Sequence, residues 1–394
     1  MTIHKMILTQ CAVCATELGL TLGKKCGRCS TRYCGPECQV QHWKEGGHDQ
    51  LCKKIKKGGG IEQYHANKKY KEAVAVADEK CAEDTKGQTC YICTQALHWK
   101  TKEGLVRGCS CRGTAGFAHV SCLVEQAKIL LDEVFENNLE NDVFISRWSR
   151  WHKCSLCEQE YRGVVRCALG WGCWKTYASW PENASRGSIT CSAMKTLGAG
   201  LATSHKEEAL AVYMAELAME QRLNMNKQHI ISTLGNIAAC YNALGRKSAA
   251  LSVFRDVFVQ KKALLGAAHP STIASCINLV EGLIDQVDVL GLDEPRLILR
   301  EMVPVAINKL GNDNQWTLHL RRLDARTHYA NWDDDNNVPL ADCLEAERIL
   351  EDVCRRATRA LGPGHPETEK CEIELRIVKR EVACGGRAPR NEPK

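Results

Sequence analysis

The stretch CSCRGTAGFAHVSC, residues 109–122, sets Cys109, Cys111, His119 and Cys122 within fourteen positions. Two tight pairs of soft ligands, Cys-x-Cys and His-x2-Cys, stand seven residues apart. Thiolates and imidazoles at such spacings are the donors of tetrahedral zinc. The pairs are the middle of a longer series, with CYIC (90–93) before them and CSLC (154–157) after. The full order is C-x2-C, x15, C-x-C, x7, H-x2-C, x31, C-x2-C. A second series lies upstream in CAVC (11–14), CGRC (26–29), CGPEC (34–38) and HDQLC (48–52). It reads C-x2-C, x11, C-x2-C, x4, C-x3-C, x9, H-x3-C. Each series holds eight ligands, enough for two tetrahedral sites. His48 rather than His42 is the upstream histidine, because it stands one helical turn before Cys52. His42 reads as a surface residue.

Composition supports metal over disulfides. The chain has 24 cysteines in 394 residues. Its opening MTIHKMILTQ has no long apolar run, and no stretch has the length of apolar residues that crosses a bilayer. Clustered Cys and His in such a chain point to zinc, and the chain reads as intracellular, cytoplasmic or nuclear, with no membrane partner. Residues 1–60 carry ten Lys/Arg against four acids, which is the whole formal excess of +6. Four thiolates around a divalent ion leave a doubly negative site, and three thiolates with an imidazole a singly negative one. One site of each kind in each of two modules removes the excess. A nucleic-acid footprint is therefore not expected, and KKIKK (53–57) reads as a solvated helix end, with a nuclear-localisation or anion-binding role as the other reading.

The first series is similar to the MYND finger over residues 11–52. In that family the pairs interleave, which implies one ion on Cys11, Cys14, Cys34 and Cys38 and another on Cys26, Cys29, His48 and Cys52. MYND fingers bind short peptides, and some accompany SET-type methyltransferases. No SET-like segment is found here, so methyl transfer is not inferred. The second series resembles the RING-CH, or RING-variant, finger of ubiquitin ligases. The resemblance implies cross-bracing, with Cys90, Cys93, His119 and Cys122 on one ion and Cys109, Cys111, Cys154 and Cys157 on the other. Four Zn2+ per chain are then expected. A PHD finger uses the same ligand types, but the narrow Cys109-x-Cys111 pair, the seven-residue step, Leu156 and Tyr161 favour RING-CH. Gly113 and Gly116 suit the turn that leads the chain away from Cys111.

In RING-type ligases the zinc is structural and no residue is catalytic. The family's groove holds a ubiquitin-loaded conjugating enzyme, which acts by proximity and orientation. Ile92 and Leu156, inside the first and last ligand pairs, occupy the corresponding positions, and Trp151 is the candidate groove aromatic. Core packing is the other reading of Trp151. Two features depart from the family. Glu158 follows the last ligand where many RINGs carry a positive residue, and the 31-residue step from Cys122 to Cys154 is long. Leu123, Ala127, Leu130, Leu131 and Val134 recur at helical spacing and assign that excess to extended helix.

Beyond residue 186 the ligand pairs stop and helical periodicity begins. NIAACYNALGRKSAALSVFRDV (236–257) reads as a helix–turn–helix unit split at Gly245. LGAAHPST (265–272), LGNDNQWT (310–317) and LGPGHPET (361–368) recur at offsets of 45 and 51, the acidic insertion WDDDNNVP (332–339) accounting for the longer step. MNKQHIIST (225–233) fits as a degenerate copy. The period means stacked helical hairpins, and the junction is similar to the tetratricopeptide repeats of kinesin light chains. His269 and His365 read as turn and cap residues. Cys240, Cys276, Cys343, Cys354 and Cys371 read as core. Asn236 and Asn278 suit a groove, a capping role or internal hydrogen bonds.

The expected architecture is multidomain: two small cross-braced zinc-binding modules followed by an all-α tetratricopeptide-like helical solenoid. The divisions are a MYND-type finger over 1–57, a helical linker over 58–88 and a RING-CH-type finger over 89–165. A Trp-rich seam over 166–185, repeats over 186–384 and a flexible tail over 385–394 follow. EYRGVVR (160–166) suggests a strand. The resemblances imply a zinc-binding adaptor that acts as a ubiquitin ligase, with a ubiquitin-conjugating enzyme and substrate proteins or peptides as partners. A non-catalytic interaction scaffold is the alternative.

Overall fold

In the computed structural model, which describes residues 7–19, 22–180, 187–286, 290–330 and 339–384, the first cysteine series forms little regular structure. Strand β1 (Lys24–Lys25) pairs antiparallel with β2 (Arg32–Tyr33), and helices α1 (Pro36–Lys44) and α2 (His48–Lys57) follow. Besides cysteines, the buried core of this module is Leu18, Tyr33 and Ile55. So small an apolar core does not hold a module of this length without another source of folding energy.

The glycines at 58–60 do not leave the next helix loose. Gly60 donates to the Ile55 carbonyl at 3.0 Å and Ile61 to the Cys29 carbonyl at 3.2 Å. Gly59 and Gly60 reach these bonds at φ 91° and 96°. Helix α3 (Ile61–Cys81) therefore starts tied to the second cysteine loop. Its buried Ala66, Tyr70, Val74 and Ala77 recur at helical spacing, and the helix packs against α6 (Gly163–Tyr177).

The long step between Cys122 and Cys154 is helical, but in two pieces. Helix α4 (Val120–Glu136) ends where Asn138 takes φ 50°. Helix α5 (Asn141–Trp148) then returns, with Arg147 Nη1 donating to the Leu130 carbonyl at 3.0 Å. A 3-10 turn, Ser149–Trp151, delivers the chain to the last ligand pair. The strand expected at 160–166 is not formed. A single bridge between Lys153 and Glu160 closes the last cysteine loop, and α6 begins at Gly163. Here tertiary packing overrides the β preference of Val164 and Val165, because Val165, Leu169 and Trp174 are buried. The Trp-rich segment is thus a helix. Cys167 and Cys173 lie buried on it.

Helix α6 meets α7 (Gly187–Leu201) backbone to backbone. A Cβ on Gly200 would stand 2.8 Å from the Arg166 carbonyl oxygen, and one on Gly170 3.2 Å from Leu197 Cα. Helix α8 (Lys206–Arg222) packs on α7. All of this belongs to a first compact unit, residues 1–233; residues 234–394 form a second. Helix α9 (Lys227–Ala243) contains the division.

The second unit continues with α10 (Lys247–Leu265), α11 (Pro270–Ile284), α12 (Asp293–Leu310), α13 (Gln315–Tyr329), α14 (Leu340–Ala360) and α15 (Pro366–Ala383). From α10 onward each helix packs on the next, and α11, α13 and α15 also pack side by side. The repeated junctions explain the spacing. Gly266, Gly311 and Gly362 end helices at φ 82°, 86° and 94°. Three residues on, His269 Nδ1, Asn314 Oδ1 and His365 Nδ1 accept from the amides of Ser271, Trp316 and Glu367 at 3.1, 2.9 and 3.1 Å. The histidines are N-caps, standing in for the usual Asn or Ser. In the degenerate copy the cap is Asn226, which accepts from Gln228 N at 3.0 Å, and not His229.

Asn236 and Asn278 lie mid-helix and half-buried, so neither is a cap. Cys240, Cys276 and Cys343 are buried thiols, whereas Cys354 and Cys371 differ from the expected core thiols in forming a disulfide between α14 and α15. The insertion expected at 332–339 and the tail expected at 385–394 lie, but for Pro339, outside the described residues.

One polar network crosses three of these helices. Arg322 of α13 is 2% exposed and pairs with Glu367 and Glu374 of α15, both at 2.5 Å, and more distantly with Glu281 of α11 at 3.6 Å. His319 bonds Glu281 at 2.8 Å and approaches Glu367 at 3.4 Å. Removing one partner of a buried pair strands the others without compensation. Arg322→Ala is expected to cost about 3–5 kcal/mol, read by chemical denaturation. Burial acts to raise the Glu281 carboxyl, but the His319 hydrogen bond and the charges of His319, Lys370 and Arg322 outweigh it and bring it down to about 2. A carboxylate lowered on folding contributes stability above its ordinary value and loses it as pH falls through the folded one. The repeat helices should therefore weaken between about pH 4.5 and about 2. Glu281→Gln should flatten that fall in a thermal-unfolding series.

Candidate metal centres

Four cysteine loops are built alike. Each is Cys-x-x-Cys followed by a residue in the left-handed region: Ala15 at φ 56°, Ser30 at 63°, Thr94 at 61° and Glu158 at 55°. In each, the amide of that residue donates to the carbonyl of the first cysteine, at 3.1, 3.0, 2.8 and 3.0 Å in turn. The amide of the first cysteine in turn donates to the carbonyl of the next residue along: Thr16, Thr31, Gln95 or Gln159. A side chain in this conformation costs roughly 1–2 kcal/mol, and the two hydrogen bonds hold it there. The reversal turns both sulfurs to one side.

The sulfurs and imidazoles gather into four groups, in each of which all ligand atoms lie within 4.8 Å of one another. The first is Cys11, Cys14, Cys34 and Cys38, the second Cys26, Cys29, His48 and Cys52. The third is Cys90, Cys93, His119 and Cys122, the fourth Cys109, Cys111, Cys154 and Cys157. These are the groupings that the two resemblances imply. His48 presents Nε2, 3.4 Å from Cys29 Sγ. His119 presents Nδ1, 3.3 Å from Cys93 Sγ, while its Nε2 donates to the Ala96 carbonyl at 3.3 Å. That second bond fixes the tautomer and ring orientation a metal needs. His42 is not on the surface as expected. It is half-buried, bonded through Nδ1 to the Tyr33 hydroxyl at 2.9 Å, with its ring 4.8 Å from that of His48.

The chemistry of the donor sets asks for a divalent cation. Thiols this close cannot all ionise alone: the Cys34 thiol helps push Cys38 up to about 12. Burial and the neighbouring Cys26 and Cys29 push Cys52 up to about 12. Conversely, the Cys109 thiol holds Cys154 down to about 4. A zinc ion would relieve this competition by taking every sulfur as thiolate. Gly116 makes the fourth group possible. It adopts φ 84°, and a Cβ there would lie 2.6 Å from Cys111 Cβ and 3.1 Å from Cys109 Sγ.

The side chains expected at the groove are placed differently from one another. The Ile92 and Leu156 amides each approach the first sulfur of their loop, Cys90 Sγ and Cys154 Sγ, at 3.4 Å. Their side chains point outward, 37% and 52% exposed. Trp151 is wholly buried, edge-on to Tyr177 at 5.9 Å, and offers no surface; its core reading is the one the structure takes. Glu158 owes its position to the backbone. It fills the left-handed place shared with Ala15, Ser30 and Thr94, and its carboxylate pairs with Arg150 at 2.7 Å. Arg150 also bonds the Cys154 carbonyl at 3.1 Å, so a cation does reach the last loop, from the turn before it.

Paired zinc modules ahead of stacked helical repeats define the class of protein. The family profile for the MYND finger matches residues 11–52, that for the RING-variant domain residues 90–139, and that for the tetratricopeptide repeat residues 230–271 and 342–367. The chain thus carries a MYND finger, a RING-variant domain and tetratricopeptide repeats. The RING-variant match stops short of Cys154 and Cys157, beyond the long helical step. No curated protein matches the chain in sequence. Two crystal structures are similar to it, one of a Podosopora anserina protein described as having kinesin light chain nearly identical TPR-like repeats and one of a form of that protein with a single glutamine replaced by methionine. The first shares 18% identity at TM-score 0.39, covering 52% of this chain and 90% of its own. The second shares 16% at TM-score 0.37, covering 61% and 97%. Among the described residues, no helix is long and apolar enough to cross a membrane.

Gly113 and Gly116 separate two kinds of glycine requirement. Both have positive φ, but a Cβ on Gly113 meets nothing within 4 Å. Gly116→Ala should empty the fourth site, so that measured zinc falls from four per chain toward three. Gly113→Ala should leave the zinc content intact at a small cost in stability.

Proposed function

We propose that this protein is a ubiquitin ligase of the adaptor type, working in the cytoplasm or nucleus. The RING-variant domain recruits a loaded conjugating enzyme, and the MYND finger and repeats bind substrate proteins. In this reading each of the four groups holds one Zn2+ through the residues named above, and the metal is structural. The observation that carries it is the matched placement of Ile92 and Leu156. Each occupies the same position of its cysteine loop, on a different zinc site, with its side chain outward. Two apolar side chains held by cross-braced metals form a rigid contact surface, and rigidity is what catalysis by orientation requires.

A second reading, a scaffold without transferase activity, is favoured by the acidic Glu158 directly after the last ligand. Ubiquitin discharge separates the two. The zinc-loaded chain should speed release of ubiquitin from at least one loaded conjugating enzyme. Ile92→Ala should abolish the stimulation without changing zinc content. Failure across a broad enzyme panel selects the scaffold. Stimulation that survives Ile92→Ala moves the contact surface elsewhere.

A further inference from the structure

Lysines from both zinc modules meet along one face of α3. A pocket of about 460 Å³ is lined by Lys54 and Lys57 of α2 and by Lys68 and Lys71 of α3, with no acidic residue. A second, of about 660 Å³, shares Asn67 and Lys71 with the first and adds Lys102 and Lys175. The two therefore adjoin along α3. Tyr70, Val74 and Ala75 supply the apolar wall of the second pocket. Its two acids are already engaged. Asp78 Oδ2 accepts from Gly104 N at 3.0 Å, and Glu103 accepts from the Ser121 amide at 2.7 Å and its hydroxyl at 2.9 Å. Lys68 pairs with Glu72 only at 3.8 Å between two exposed chains, a contact worth little. Lys175 is drawn over the Tyr70 ring at 4.2 Å. Lys54 and Lys57, exposed in the last turn of α2 as their run KKIKK suggests, also open a basic trough.

We propose that this trough binds an extended acidic segment of a partner protein. Its carboxylates lie over the lysines of α2 and α3, and an apolar side chain lies against Val74 and Ala75. The face runs from Tyr64 to Asp78, about 20 Å at 1.5 Å per helical residue, which is about six residues of extended peptide. Charge complementarity selects an anion, and the apolar wall together with Asn67 and Thr101 selects a peptide. A single-stranded nucleic acid needs open aromatic faces on which bases stack. Here Tyr70, the aromatic residue of the second pocket, is buried. The recognition surface is separate from Ile92 and Leu156 and does not require ubiquitin transfer.

Direct binding tests it on the full zinc-loaded chain. Fluorescence anisotropy of labelled Glu-Glu-Glu-Glu-Gly-Leu-Val should show saturable binding that weakens steadily with added salt. The double variant Lys68→Glu/Lys71→Glu should bind at least tenfold more weakly at unchanged zinc content. Lys309→Glu, an exposed lysine of α12, should bind as the unaltered chain does. Serine in place of the peptide's Leu and Val should weaken binding several-fold. Absence of binding, equal losses in the trough variant and Lys309→Glu, indifference to the serine exchange, or tighter binding of an octauridylate than of the peptide would each overturn the proposal.

Discussion

Soft thiolates crowded within reach of one another are the constraint from which the first half of this chain takes its form. The apolar core of the MYND finger is Leu18, Tyr33 and Ile55 beside its cysteines. Binding of structural zinc supplies of the order of 10 kcal/mol or more per site, more than so small a core can offer. Geometry follows from that. Every Cys-x-x-Cys loop must turn both sulfurs one way, and each does so with a left-handed residue after the second cysteine. The repeats rest on a different footing. Their buried clusters run through α9 to α13 and through α13 to α15 with leucine, isoleucine, valine and alanine, so each helix needs only its neighbours.

What was legible in the sequence was local. Ligand pairs at fixed spacing, and the junctions in which Gly266 precedes His269 and Gly362 precedes His365, depend on a few adjacent residues, and the pattern of residue types reveals them. The structure puts the histidine caps where the recurrence suggested. Features set by distant partners were not legible. Trp151 lies in a core built by Tyr177, and Val164 and Val165 enter a helix because α6 needs a buried face. His42 is drawn inward by Tyr33. The pairing of Cys354 with Cys371 depends on the approach of two helices. Glu158 is instructive because its identity suggested a departure from the family, while its backbone conformation shows a requirement common to all four loops. The residue after each pair varies from alanine to glutamate, too weak a signal to read alone.

Helix α3 connects these elements within the first unit. It begins on the Cys29 carbonyl, packs along α6, and reaches the RING-variant module where Tyr70 meets Ser121 at 3.2 Å and Asp78 holds Gly104. A segment that composition marks as a linker is thus a spacer of fixed length between two metal modules. Gly170 and Gly200 extend the same rigidity into α7 by letting two helix backbones touch. The surface presented by one module is consequently held in register with that of the other.

The interleaving of ligands also sets an order in time. A chain made from its N-terminus can close both MYND sites once Cys52 has appeared. The third group waits for Cys122, and the fourth cannot close until Cys154, 43 residues after Cys111, and then Cys157 have left the ribosome. At about 5–20 residues per second, that leaves Cys109 and Cys111 as an open dithiol for some seconds of every synthesis. During that interval the pair is a bidentate chelator without its second half, exposed to oxidants and to competing metals. Maturation of this protein therefore depends on the supply of zinc during translation as well as on its affinity afterwards.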